Sequence, residues 1–271
     1  MSEVSATSCP LCGCGRLETA FRYEEPPVGE TAFPLREGER YEREYRRCAA
    51  CGHFLAVHDL DLDRLYEGEY MDSTYAGDRL RETFEQIMGL PPERSDNVQR
   101  VERIERFWSD RGGARGATLL DVGSGLGVFP ARMKDAGWAC TALDPDPRSA
   151  RHATEVVGVE AVQADFATAA GLGRYDLVTF NKVLEHVADP VAMLARAREF
   201  VADGGAVYVE VPDGEAAAQE GPGREEFFVE HMHVFSAASL ALLADRAGFA
   251  LARLERVREP STKYTLAAFL L

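Results

Sequence analysis

Leu119-Leu120-Asp121-Val122-Gly123-Ser124-Gly125-Leu126-Gly127-Val128-Phe129 decides the fold of this chain. A short apolar run, Thr118–Val122, has the character of a buried strand, and three glycines at alternate positions then make a turn into a helix from about Val128 to Ala136. Glycines at a strand's carboxyl end let a ligand approach the backbone closely. Asp144 follows at the end of the next apolar run, Ala139–Leu143, where a carboxylate can accept from both hydroxyls of a ribose. The dinucleotide fingerprint G-x-G-x-x-G/A is not met, because counting from Gly123 its last position is Val128. The observed G-x-G-x-G, preceded by Asp121, suits a smaller ligand with an amino-acid tail better than a pyrophosphate.

Outward from this stretch, apolar runs and amphipathic segments alternate to the end of the chain, as in a mostly parallel α/β sheet. Strands are expected at Glu160–Gln163, Tyr175–Phe180, Ala206–Val211, Leu251–Arg258 and Tyr264–Leu271, with helices at Pro147–Val156, Asp189–Val201 and Ala237–Ala247. Before them, Leu80–Met88 and a helix capped within Ser95-Asp96-Asn97 form a helical segment. The expected division is therefore 1–70, a cysteine-rich module; 71–115, a helical connector; and 116–271, the α/β domain.

Cys9-Pro-Leu-Cys12-Gly and Cys48-Ala-Ala-Cys51-Gly are two C-x-x-C-G turns, and together they offer the four thiolates of a structural zinc site. Cys14 is expected to stand outside that set, and Cys140 to be a small core residue. His53 and His58 are not needed by a site that four sulfurs already fill. Arg40–Arg47, RYEREYRR, is expected to be a solvated charged face, and His152 to be exposed.

The chain has 271 residues, with 30 Lys+Arg against 45 Asp+Glu for a net charge of −15, which argues against broad contact with a nucleic-acid backbone. Hydrophobic residues make up 46 % and charged residues 28 %, enough apolar material for a folded core and too much for disorder. No run approaches ~18 apolar residues, so no membrane span is expected. The first ten residues carry no basic or apolar leader, and the expected location is the cytoplasm.

From Thr118 to Leu271 the sequence resembles the class I S-adenosylmethionine-dependent methyltransferases. The resemblance implies a seven-strand Rossmann-like sheet with its last strand antiparallel. It implies that Asp121, Gly123, Ser124, Gly125 and Gly127 hold the methionine part of the cofactor and that Asp144 holds the ribose. Asp165-Phe166 then lies at the adenine, and Asn181 to His186 face cofactor and substrate. Glu230-His231-x-x-x-Phe235-Ser236, with the cysteine pairs, is similar to the zinc-containing sugar C-methyltransferases and to exopolysaccharide-type methyltransferases. There a Tyr-x-Glu-His group supplies the base. Glu230 and His231 match, whereas Phe228 stands at the tyrosine position and the sequence ends at Leu271 without the long C-terminal domain of those enzymes. The acceptor atom is thus left open between C-, O- and N-methylation.

The expected activity is methyl transfer to a small polar metabolite, a nucleotide-linked sugar foremost, with His231 as base and Glu230 as its support. Gly214 to Arg224 is expected to be a mobile lid, Ser236 the N-cap of the next helix, and His233 a structural or substrate-facing residue. Tyr66, Tyr70 and Tyr75 are either caps over the cofactor or packing residues. The alternatives are an RNA-modifying enzyme whose zinc module grips nucleic acid, and a non-catalytic cofactor-binding partner protein.

Overall fold

The computed structural model describes residues 7–36, 38–62, 64–65 and 77–271; Tyr66, Tyr70 and Tyr75 lie outside them. Its elements run β1 (Leu17–Tyr23), β2 (Arg43–Cys48), β3 (Phe54–His58), α1 (Gly77–Met88), α2 (Asp96–Asp110), β4 (Thr118–Val122), α3 (Val128–Asp135), β5 (Ala139–Asp144) and α4 (Pro147–His152). They continue through β6 (Glu160–Gln163), β7 (Tyr175–Asn181), α5 (Pro190–Arg196), β8 (Val201–Pro212), α6 (Gly214–Ala217), β9 (His233–Val234), α7 (Ala237–Arg246), β10 (Leu251–Arg258) and β11 (Tyr264–Leu270).

The large sheet has seven strands in the order β10-β11-β8-β7-β4-β5-β6. Neighbours from β8 through β6 pair in parallel, and β11 runs antiparallel to both β8 and β10. Alternation along the strands sorts side chains onto two faces. Val207, Val209 and Val211 face one core with Leu194 of α5 and Leu240 and Leu243 of α7. Ala206 and Tyr208 face the other with Phe129 of α3 and Ile104 and Phe107 of α2. Phe107 stacks on Phe269 at 3.9 Å, so α2 is one of the helices covering that face. Its N-cap is Ser95, whose Oγ accepts the Val98 N–H at 3.3 Å, a contact worth about 1 kcal/mol. Succession from β4 to β5 goes one way across the sheet and from β4 to β7 the other. The carboxyl ends of β4 and β7 therefore flank the crevice where such sheets bind ligands.

A second sheet, β1-β2-β3-β9, lies beside the first, and its fourth strand is only His233–Val234, from the far end of the chain. Sequence patterning gave no sign of it. The charged run Arg40–Arg47 corrects accordingly: from Arg43 it is strand β2, and burial alternates along the run, with Tyr41, Arg43 and Tyr45 buried while Arg40, Glu42 and Arg47 are exposed. Arg43 is buried because Glu30 meets it at 2.6 Å and Tyr23 lies under its guanidinium at 3.8 Å.

One further expectation is corrected. His152 is buried edge-on against Phe84 of α1, 5.2 Å between ring centres. The segment expected to be a mobile lid starts with α6, whose N-cap Asp213 accepts from the N–H groups of Glu215 and Ala216, and Ala217 is fully buried. Arg224 closes its far end by pairing with Glu220 and Glu226. Among the described residues no helix is long and apolar enough to cross a membrane.

Candidate active site

At the carboxyl end of β4 the chain turns sharply enough that the N–H groups of Gly123 and Ser124 both donate to the Leu143 carbonyl, at 2.8 and 3.2 Å. Gly123 and Gly127 both sit at φ +70°, and a Cβ on either would come within 2.8 Å of a valine methyl, Val183 and Val157 respectively. Asp121 is 2 % exposed and accepts from Thr179 Oγ1 at 2.7 Å and Asn181 Nδ2 at 2.9 Å. Burial outweighs these hydrogen bonds and pushes its carboxyl up to about 7. Asp144 accepts the Gly125 N–H (2.8 Å) and the Asp146 N–H (2.9 Å), and burial raises its carboxyl too.

The fit to a small cofactor with an amino-acid tail rests on two orphans. Ser124 Oγ and Asn181 Oδ1 are buried without a hydrogen-bond partner, at the adjoining ends of β4 and β7. A ligand carrying an ammonium and sugar hydroxyls has the donors that these atoms and Asp144 lack. The turn from Val122 to Val128 contains no basic side chain to meet a pyrophosphate. Asp165 stands exposed after β6, its Oδ1 accepting the Ala167 N–H at 2.8 Å. Phe166 does not present its ring there. The ring is 2 % exposed and packs edge-on to Phe180 at 5.4 Å, leaving only its backbone for a cofactor.

Beyond β7 the chain passes through Lys182, a non-glycine residue at φ +59°, into Glu185 and His186. His186 lies 4.9 Å from His231, ring centre to ring centre, and both line a cavity of about 190 Å³ with Lys182, Glu185, Glu230 and Tyr264. His186 Nδ1 donates to the Glu230 carbonyl and His231 Nδ1 to the Glu226 carbonyl, each at 2.9 Å. A carbonyl can only accept, so each Nδ1 carries the proton and each Nε2 keeps its lone pair. Burial holds His231 well below the usual histidine range, with His186 adding to the effect, and burial lowers His186 as well.

The structure brings Glu230 near His186 more than His231. His186 lowers the Glu230 carboxyl that burial raises, and Glu230 Oε2 is buried without a partner. Glu185 falls within the Asn181–His186 segment expected to face cofactor and substrate. It is fully buried, both carboxylate oxygens lack partners, and burial pushes it up to about 7. Ligating atoms of Glu185, His186 and His231 lie within 4.8 Å of one another. His233, two residues on, belongs elsewhere: its Nδ1 meets His53 Nε2 at 3.1 Å, deep in the seam between the sheets. Ser236 caps α7, with a reciprocal bond from Ser239.

The four thiols of Cys9, Cys12, Cys48 and Cys51 converge, with Sγ–Sγ distances of 3.6 Å (Cys9–Cys51) and 3.4 Å (Cys12–Cys48) and all four within 4.8 Å. That is the donor set and spacing a tetrahedral zinc takes. Cys14 Sγ instead accepts the Arg16 N–H at 3.4 Å, and Cys140 is buried in β5. A larger cavity of about 520 Å³ is lined by Thr118, Ala139, Glu160 and Tyr175, at the amino-terminal ends of the strands. It lies on the sheet edge opposite the glycine turn and His231.

The strand order and glycine crevice define a Rossmann-like methyltransferase fold. The chain belongs to the methyltransferase domain family, which matches residues 94–254, more than half its length. It is 34 % identical over 118 residues to the ubiquinone biosynthesis O-methyltransferase of Caulobacter vibrioides, covering 41 % of this chain and 47 % of that protein. The chain thus spans about half the length of the curated relatives it matches. Among solved structures it is similar to the magnesium protoporphyrin IX methyltransferase of Synechocystis PCC 6803 with bound S-adenosylhomocysteine. The TM-score is 0.57 at 17 % identity, over 77 % of this chain and 99 % of that one. It is also similar to the 1,6-didemethyltoxoflavin N1-methyltransferase of Burkholderia thailandensis, with a TM-score of 0.55, 22 % identity, and coverage of 82 % and 96 %. These two likenesses concern the fold.

Proposed function

We propose that the protein is an S-adenosylmethionine-dependent methyltransferase acting on a small polar acceptor, with nucleotide-linked sugars the first class to assay. The observation that carries this reading is the placement of two histidines with free Nε2 atoms at the sheet edge that also holds the orphaned Ser124 Oγ and Asn181 Oδ1. Asp121, Gly123, Ser124, Gly125, Gly127, Asp144, Asp165 and Asn181 hold the cofactor, which supplies a methyl group on an already activated sulfonium. His231 Nε2 takes the acceptor's proton as the acceptor's lone pair receives the methyl, and the Nδ1–H bond to Glu226 keeps the ring in that tautomer. Burial keeps His231 neutral and ready to accept near neutral pH. The carboxylates of Glu185 and Glu230 beside the pair favour the imidazolium that forms.

In this reading residues 1–70 form a structural zinc module on Cys9, Cys12, Cys48 and Cys51, residues 71–115 a helical connector, and residues 116–271 the catalytic domain. The test is His231→Ala with a panel of nucleotide-sugar and phenolic acceptors. Turnover should fall by about 10²–10⁴ while cofactor affinity stays within about twofold. Wild-type turnover in the variant would remove His231 from the mechanism.

A further inference from the structure

The segment Phe228–His233, which carries His231, has its backbone spoken for from both sides. From the catalytic domain, the Glu185 carbonyl accepts the N–H groups of Met232 (2.8 Å) and His233 (3.1 Å). From the N-terminal sheet, Ala56 N–H donates to the Met232 carbonyl at 3.0 Å, and β3 pairs with β9 through Phe54 and Leu55. Two buried side chains of the same N-terminal module reach further. The Tyr45 hydroxyl lies 2.5 Å from the His231 carbonyl and 3.0 Å from that of Phe228. Glu30 Oε1 accepts the Val229 N–H at 2.8 Å and is fixed in turn by Arg43 at 2.6 Å, both side chains fully buried.

We propose that Tyr45, seconded by Glu30, is a positioning residue for His231, so that the cysteine-bearing module completes the proton-accepting site of the neighbouring domain. This rests on the assignment of His231 as base. The geometry is specific to that residue. Tyr45 holds the carbonyl of His231 itself; the His231 N–H donates to the Phe228 carbonyl at 3.0 Å, its ring Nδ1 to Glu226, and Met232 beside it is held through both its backbone groups. Tyr45 is completely buried, and burial keeps its phenol well above its ordinary value, so the hydroxyl remains a donor throughout the working pH range. Removing it leaves a buried carbonyl unsatisfied and takes away the side-chain hold on the residue whose Nε2 must stay in line with the acceptor. Misplacement by 1 Å is enough for about a 10²-fold loss.

Tyr45→Phe in the full chain tests this, with Tyr23→Phe as control. Tyr23 sits in the same module; the substitution keeps its ring under the Arg43 guanidinium and removes only a hydroxyl that donates to the Pro222 carbonyl, not to the Phe228–His233 segment. In Tyr45→Phe, kcat should fall about 10- to 100-fold, with the cofactor Kd within about twofold. The acidic limb of the kcat pH profile should also move up toward the ordinary histidine value, since a loosened loop gives the ring back to water. The groups facing that ring are His186, Glu185, Glu230, Lys182 and Lys263. Tyr23→Phe should keep wild-type kcat and limb. A Tyr45→Phe enzyme with wild-type kcat and pH profile, beside an inactive His231→Ala, overturns the positioning role alone. Equal losses in both tyrosine variants, tracking their Tm, overturn it in favour of plain stability. An active His231→Ala rejects the base assignment, and with it any role of Tyr45 through that residue.

Discussion

Arg100→Met isolates the buried ion cluster that anchors α2 to the end of β8. Glu210 is fully buried; its Oε2 accepts from Arg100 Nε (2.8 Å) and Nη2 (2.6 Å), and its Oε1 from Arg103 Nη1 (2.8 Å) and the Tyr208 hydroxyl (2.5 Å). The substitution keeps bulk beside Phe129 while removing both donors to Oε2. Breaking a buried pair by removing one partner costs about 3–5 kcal/mol, and since Arg103 stays, the lower end applies. About 3 kcal/mol corresponds to a Tm lower by about 6–12 °C in a chain of this size. Burial alone would raise the Glu210 carboxyl; Arg100 foremost, with Lys182 and Arg103, overrides burial and brings it down to about 2. A depressed folded value means that stabilisation is present above the unfolded value near 4.3 and lost as pH falls from there toward about 2. The deficit of the variant should therefore be greatest at pH 7 and shrink below about pH 4. Urea unfolding followed by the fluorescence of Trp108 and Trp138 measures it, with Arg100→Met/Glu210→Gln expected to recover part of the loss. A deficit under about 1 kcal/mol at pH 7, or one that grows as the pH is lowered, would refute the electrostatic account.

Three other outcomes follow from the site. Cys48→Ser removes one of the four converging thiols; elemental analysis should show zinc content dropping well below one per chain, with unfolding of the N-terminal sheet at lower urea. Retention of full zinc occupancy would point to Cys14 as a substitute ligand. Asp121→Asn should raise Tm at pH 8 while weakening cofactor binding. Burial pushes this carboxyl up to about 7, so its ionised form costs stability that is absent below about pH 4 and grows as pH rises. The gain has a ceiling of about 4 kcal/mol and should vanish in scans near pH 4. His231→Ala should leave Tm within a few degrees while turnover falls by about 10²–10⁴, as measured by methyl transfer against calorimetry.

The seven-strand sheet was legible because its central strands are buried on both faces and its turns are marked by glycine. Phe180, Val207 and Leu270 have nowhere but the interior to go. The N-terminal sheet was illegible for the opposite reason. Its β2 strand is written in Arg, Glu and Tyr, and only tertiary partners make it a strand: Arg43 is buried because Glu30, thirteen residues away, neutralises it. A two-residue strand such as β9 has no periodicity to detect. The helical start of Gly214–Arg224 was hidden by the segment's Gly and Pro content, although Asp213 ahead of Gly214-Glu215-Ala216 is a capping signal. Glu185 could be seen beside His186, but nothing in the sequence says that a carboxylate will be left without partners.

Residues 226–239 decide how the parts relate. Within that short stretch the chain supplies the Glu226 carbonyl to His231, the β9 strand to one sheet and the Ser236 cap to a helix packed on the other. The Ser236 hydroxyl also donates to the Cys51 carbonyl, and the Gly52 backbone packs against its side chain, so the second cysteine turn touches the cap itself. His53, next in the chain, bonds Ser239 and His233. The Cys48–Cys51 turn is thus tied to the carboxyl side of the His231 segment, at His233, Ser236 and Ser239, through buried groups that cannot trade their partners for water. On the proposed reading, that is a physical reason for a thiolate module to accompany a methyltransferase domain. On that reading the module fixes the backbone on which His231 is mounted, and the sheet fixes the edge where cofactor and acceptor meet.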